Sequence, residues 1–129
     1  MATGFPAATG DVLTSGMFNG LVAFTTNAQT GTTYTAVSTD QYQVLVTMSN
    51  ASANAFKIPT NASVAFPIGT CITVLNIGAG TCTISATTSG TTTVLSAGAT
   101  AASPTIGQYK SAACIKTATD TWYVVGAIA

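Results

Sequence analysis

The stretch Thr70-Cys71-Ile72-Thr73-Val74-Leu75-Asn76-Ile77, then Gly78-Ala79-Gly80, then Thr81-Cys82-Thr83-Ile84-Ser85-Ala86, decides how this chain is to be read. Its second half alternates strictly, which sends Cys82, Ile84 and Ala86 to one face and Thr81, Thr83 and Ser85 to the other. Its first half has apolar residues at both parities, the pattern of a central strand covered on both faces. Two glycines between them predict a tight hairpin whose turn uses positive φ values.

Outward from this point the same signals continue. Thr and Val are abundant, and β-branched residues suit a pleated, half-buried surface. Upstream, strands are predicted at Thr32–Val37, at Tyr42–Met48 with Tyr42, Val44 and Val46 on one face, and at Ala55–Ile58 with Phe56 and Ile58 together. Downstream, Thr91–Leu95 is a weaker strand and Ser96–Pro104 a small-residue loop. A second hairpin follows, Tyr109–Lys116 returning as Thr121–Gly126, with Asp120 and its Thr neighbours in the turn. About eight short strands without a repeat of fixed period predict an all-β fold, an antiparallel β-sandwich or barrel.

The chain divides at about residue 30. Residues 31–129 read as the β domain and residues 1–30 as an N-terminal arm. The arm holds the one short helix expected, near 14–20, where Thr14 or Ser15 caps it and Gly20 stops it. Phe5, Leu13, Met17, Phe18 and Phe24 are its candidate assembly contacts.

Charge sharpens the functional reading. Of 129 residues only three are Lys and three Asp, with no Arg, Glu or His, and the net charge is zero. No charged residue falls between Lys57 and Lys110. Three scattered lysines cannot neutralise a phosphate backbone or form a basic patch for anionic lipid, so neither nucleic acid nor a membrane surface is an expected partner. No apolar run approaches the roughly 20 residues of a membrane-spanning helix, and Met1–Pro6 shows no secretory signal. Small free-standing domains usually hold a net charge of about 2 to 8 units. A neutral chain this apolar predicts surfaces covered by neighbouring subunits.

Catalytic equipment is sparse. Without His, no side chain ordinarily titrates near neutrality and no Ser or Cys nucleophile has its usual base. Asp11, Asp40 and Asp120 sit in predicted caps or turns, where backbone hydrogen bonding is the expected role. Cys71, Cys82 and Cys114 are widely spaced and read as small buried residues on strands, with no metal site and no cofactor expected. The chain is therefore read as non-enzymatic. Tyr109, Trp122 and Tyr123 remain as a possible surface contact, an aromatic platform for sugar rings, although alternation lets only one of the adjacent pair Trp122 and Tyr123 face inward.

The succession Ser38-Thr39-Asp40, Ile58-Pro59, Ser63-Val64-Ala65-Phe66-Pro67-Ile68-Gly69-Thr70, Asn76-Ile77-Gly78-Ala79-Gly80-Thr81 and Thr121-Trp122-Tyr123-Val124-Val125-Gly126 resembles a β module of virion structural proteins of tailed bacteriophages. The resemblance covers about residues 32–127, and Gly10-Asp11-Val12-Leu13-Thr14 resembles the start of short phage structural proteins. It implies an assembled component of the particle surface, with a homotrimer as the expected state. The expected role is a capsid decoration (cement) protein bound to the major capsid protein. The alternative is a tail-fibre or receptor-binding tip that contacts host surface glycan.

Overall fold

The computed structural model describes residues 25–42 and 44–129. The helix expected near 14–20 and the arm contacts Phe5, Leu13, Met17, Phe18 and Phe24 lie outside them. Among the described residues ten strands form: β1 (Thr25–Gln29), β2 (Thr33–Thr35), β3 (Val44–Met48), β4 (Asn54–Ile58), β5 (Cys71–Asn76), β6 (Cys82–Ala86), β7 (Thr93–Ser96), β8 (Thr105–Ile106), β9 (Lys110–Ala118) and β10 (Thr121–Gly126). A single turn of 3-10 helix, Ser38–Gln41, separates β2 from β3. β1 falls within the segment read as arm, yet it is a strand of the larger sheet.

The strands make two mixed sheets, one of six in the order β1-β3-β5-β9-β10-β7 and one of four in the order β2-β4-β6-β8. The expectation of an antiparallel fold is corrected here. β1/β3, β3/β5, β2/β4, β4/β6 and β7/β10 are parallel, and β5/β9, β9/β10 and β6/β8 are antiparallel. The cause is the path of the chain. β1 to β2, β3 to β4 and β5 to β6 each cross from the larger sheet to the smaller, and each crossing stacks on the one before. Successive layers therefore run in the same direction.

The predicted hairpin at 70–86 is the clearest casualty, because β5 and β6 belong to different sheets. Gly78 and Gly80 are required for a reason other than positive φ, which among the glycines marks Gly69 and Gly126. Their corner lies against the corner of the layer before. Ile77 N donates to Met48 O at 2.9 Å and Gly80 N to Asn50 O at 2.9 Å, while Asn50 Nδ2 reaches back to Thr30 O at 2.8 Å. A side chain at Gly78 or Gly80 would overlap the backbone of Asn50 or Ser52. Asn76 is fully buried and closes this corner, with Nδ2 donating to Gly80 O at 2.8 Å and to Ile106 O at 2.9 Å. The second predicted hairpin does form, as β9 and β10, with a register shift beside Thr121 and Asp120 at a positive φ of 55°.

Both sheets feed one hydrophobic cluster. Val46, Met48, Ile72, Val74, Cys114, Trp122 and Val124 enter it from the larger sheet, and Phe56, Ile58, Cys82, Ile84 and Ile106 from the smaller. Trp122 meets Phe66 edge to face, with ring centroids 5.6 Å apart. Trp122→Phe keeps an aromatic ring but leaves a void, so it should cost about 1–2 kcal/mol in a denaturant titration. A loss near zero would place Trp122 outside the cooperative core.

The long connection between β4 and β5 is fastened to β9. Gly69 N donates to Lys116 O at 2.7 Å, and Lys116 N to Thr70 O at 2.9 Å. A second fastening lies at the entrance to the larger sheet. Asp40 is buried and accepts from Tyr34 Oη at 2.6 Å, from Asn27 Nδ2 at 3.0 Å and from Val37 N at 3.0 Å. Burial and then the bond to Asp40 push the Tyr34 phenol up to about 12. Asp40 and Asp120 thus hold backbone and side-chain donors together.

Candidate functional site

Side chains alternate across a strand, and directly paired residues share a face. Since Ile72, Val74, Cys114, Trp122 and Val124 point into the core, their neighbours form the outer face of the six-stranded sheet. Register assembles that face into rows. Leu95, Tyr123, Ile115 and Cys71 make one, and Val125, Ala113, Thr73, Leu45 and Thr26 the next. Ser111, Leu75, Thr47 and Ala28 make a third. No residue in these rows carries charge. Six strands at the usual spacing span about 24 Å, and three rows cover about 15 Å along the strands, a patch of a few hundred Å2. Thr26, Thr47, Thr73 and Ser111 interrupt that footprint with hydroxyls and Thr47 is buried, so its exposed apolar part centres on Leu95, Tyr123 and Val125, the kind of cluster that marks interaction sites.

The face is open where it is most apolar. Tyr123 is 43 % exposed, Val125 49 % and Leu95 37 %. Together with Ile128 they line a shallow hollow of about 430 Å3. A second hollow of about 580 Å3 lies by Cys71 and Thr73, where Tyr42, Pro67 and Ile68 rise from the flanking loops. Ile68 is 67 % exposed.

The smaller sheet presents the opposite chemistry. Its outer rows are Thr33, Ala55, Thr83 and Thr105, then Thr35, Lys57 and Ser85. Lys57 Nζ donates to Ser85 Oγ at 2.9 Å. One face is thus uncharged and carries the exposed apolar residues, while the other is lined mainly with hydroxyls and one lysine that water can solvate.

The aromatic platform expected from Tyr109, Trp122 and Tyr123 does not form. Trp122 is buried at 1 % exposure, because its parity on β10 puts it in the core, and it makes no surface contact. Tyr109 is 76 % exposed, at a positive φ of 65° just before β9. Tyr123 pairs with Ile115, six residues further along β9, so the two tyrosines stand about 20 Å apart. Tyr123 instead belongs to the apolar face. Sequence reasoning missed Leu95, Ile115 and Val125 there. The signal available was the run Tyr123-Val124-Val125, apolar at both parities like β5.

The three thiols also separate. Cys82 and Cys114 are buried as expected, whereas Cys71 is exposed at the start of β5, since its parity sends it outward. Burial pushes the Cys82 thiol up to about 11. It pushes Cys114 higher still, with Cys71 and Cys82 adding to the effect. Reactivity follows the thiolate and its exposure. The dissociated, folded subunit at pH 8 should therefore label rapidly at one thiol, Cys71, with the others reacting only in denaturant. Fast labelling of all three in a mass-spectrometric time course would contradict the burial described.

Among the described residues no group of three or more His, Cys, Asp or Glu is placed to hold a metal ion. No helix among them is long and apolar enough to cross a membrane. Comparison with family models, with curated proteins and with solved structures gives no match.

Proposed function

We propose that the protein is a non-enzymatic assembly subunit whose docking surface is the uncharged outer face of the six-stranded sheet. The carrying observation is that β5 and β10 have apolar residues at both parities, and that on the parity turned from the core Cys71, Tyr123 and Val125 stay exposed in the described chain. A second cover supplied by other subunits answers the pattern. In this reading the two sheets act as a β-sandwich with one face for assembly and a hydroxyl face for solvent.

The particle setting rests on the resemblance of residues 32–127 to the phage β module. Within it, the reading is a capsid decoration protein on the virion surface, a homotrimer bound to the major capsid protein, with the arm reaching over neighbouring subunits. The tail-tip alternative shares the same module resemblance, but the glycan platform assigned to it loses Trp122, which is buried. The test is to locate the protein in purified particles and compare heads with and without it. Its presence on heads, with heads lacking it bursting more readily under heat or low salt, is the expected outcome. Its presence on tails alone, with heads equally robust in its absence, would overturn the decoration role.

A further inference from the structure

Lys116 is 2 % exposed, whereas Lys110 is exposed and Lys57 half-buried. It points inward from β9, paired with Trp122, beneath the connection between β4 and β5. Its Nζ donates to Asn61 Oδ1 at 2.6 Å and to Phe66 O at 2.7 Å. Both acceptors are neutral carbonyl oxygens. A buried ammonium compensated in that way is an expensive arrangement.

Asn61 is held for more than hydrogen bonding. Its amide carbon lies one carbonyl bond of about 1.23 Å from Oδ1, so Lys116 Nζ is at most about 3.8 Å from Cγ. Reacting atoms in near-attack arrangements stand about 3–3.5 Å apart. Asp120 touches the same residue. Its Oδ1 accepts from Asn61 N at 2.7 Å and from Thr92 Oγ1 at 3.0 Å. A buried amine and a carboxamide carbon thus meet, although Asn61 and Lys116 are 55 residues apart, and Asp120 fixes the Asn61 backbone beside them. Lys57 has no such electrophile, since its amine meets a serine hydroxyl.

We propose that Lys116 and Asn61 join in an intramolecular isopeptide bond formed by the folded chain itself, with Asp120 as the residue that positions Asn61. The Lys116 ammonium gives a proton to Asn61 Oδ1, which it already faces at 2.6 Å. The neutral amine attacks Asn61 Cγ, and a C–N bond forms. A proton of the attacking nitrogen passes to Nδ2 as the Cγ–Nδ2 bond breaks and ammonia departs. The departing ammonia takes up the proton held on Oδ1. Lysine ammonium and carboxamide become a secondary amide and ammonium ion, with no oxidant or metal required. The product removes the buried charge and ties the loop to β9, closing a covalent ring much as a disulfide would.

Intact-mass measurement of the full chain, with tandem mass spectrometry of a digest, tests this. The expected mass is one ammonia below that of the sequence, with a peptide containing Asn61 linked to one containing Lys116. Lys116→Met and Asn61→Ala should both restore the full mass, and Asp120→Ala, which frees the Asn61 backbone, should lower the linked fraction. Melting of the Lys116→Met variant should fall by roughly 10 °C or more. Full sequence mass in wild-type protein that is folded by circular dichroism would overturn the proposal, even if every variant failed to fold. So would an ammonia loss that maps to a succinimide within the unlinked Asn61 peptide. Linkage at the wild-type rate in Asp120→Ala would overturn the positioning role.

Discussion

Charging the apolar face with Tyr123→Lys and Val125→Lys together is expected to yield a folded monomer whose self-association is weakened at least ~100-fold. Both side chains point away from the core and are already 43 % and 49 % exposed, so each lysine can reach water in the isolated subunit. In an assembled face the same lysines would be buried among Leu95, Ile115 and Ala113, none of which offers a counter-charge. An uncompensated buried charge costs several kcal/mol, far more than the apolar contact it replaces. Sedimentation velocity should show a shift from oligomer to monomer, with an unchanged far-UV spectrum. An unaltered oligomer would remove this face from the assembly. The matched control is Thr83→Lys on the smaller sheet, where the outer face is already polar and no change in oligomeric state is expected.

Gly80→Ala is expected to cost at least about 4 kcal/mol, a large share of the roughly 5–15 kcal/mol that holds a domain folded. The methyl group would overlap the Ser52 carbonyl and crowd Asn50 O at 2.9 Å. Those atoms are backbone, so no rotamer change relieves the overlap. To make room, the corner must lift, and that breaks Gly80 N to Asn50 O and loosens the Asn76 bond to Gly80 O. The stacking of the third layer on the second fails with it. Gly90→Ala is the control, since a Cβ there meets nothing within 4 Å, and its effect should stay within about 1 kcal/mol. Thermal melts of the two variants measure the difference. Equal melting temperatures would mean that the corners do not stack as described.

Much of the local structure was legible. Alternation in Cys82–Ala86 correctly sends Cys82, Ile84 and Ala86 inward, and the turn at Asp120 was placed between its two strands. What misled was the glycine pair between β5 and β6. Glycine serves tight turns and close backbone approach equally well, and only the position of Asn50 and Ser52 distinguishes them. Two short strands also escaped. β1 lies in a polar stretch whose Asn27 and Gln29 do not read as strand residues, and β8 is only two residues long behind Pro104. The candidate face was legible in part, as the doubly apolar pattern of β5, but not as a set of residues drawn from six strands.

By itself the sequence determined that this chain is strand-rich, nearly free of charge and poorly equipped for acid–base chemistry, because composition and a two-residue period are local properties. Tertiary structure alone decided that successive strands stack in parallel across two sheets. It also decided that Leu95, Tyr123, Ile115 and Cys71 share one row, and that Lys116 lies against Asn61. Those are pairings between distant segments. A strand's alternation states which residues face a core, and only the neighbouring strand states whose core it is.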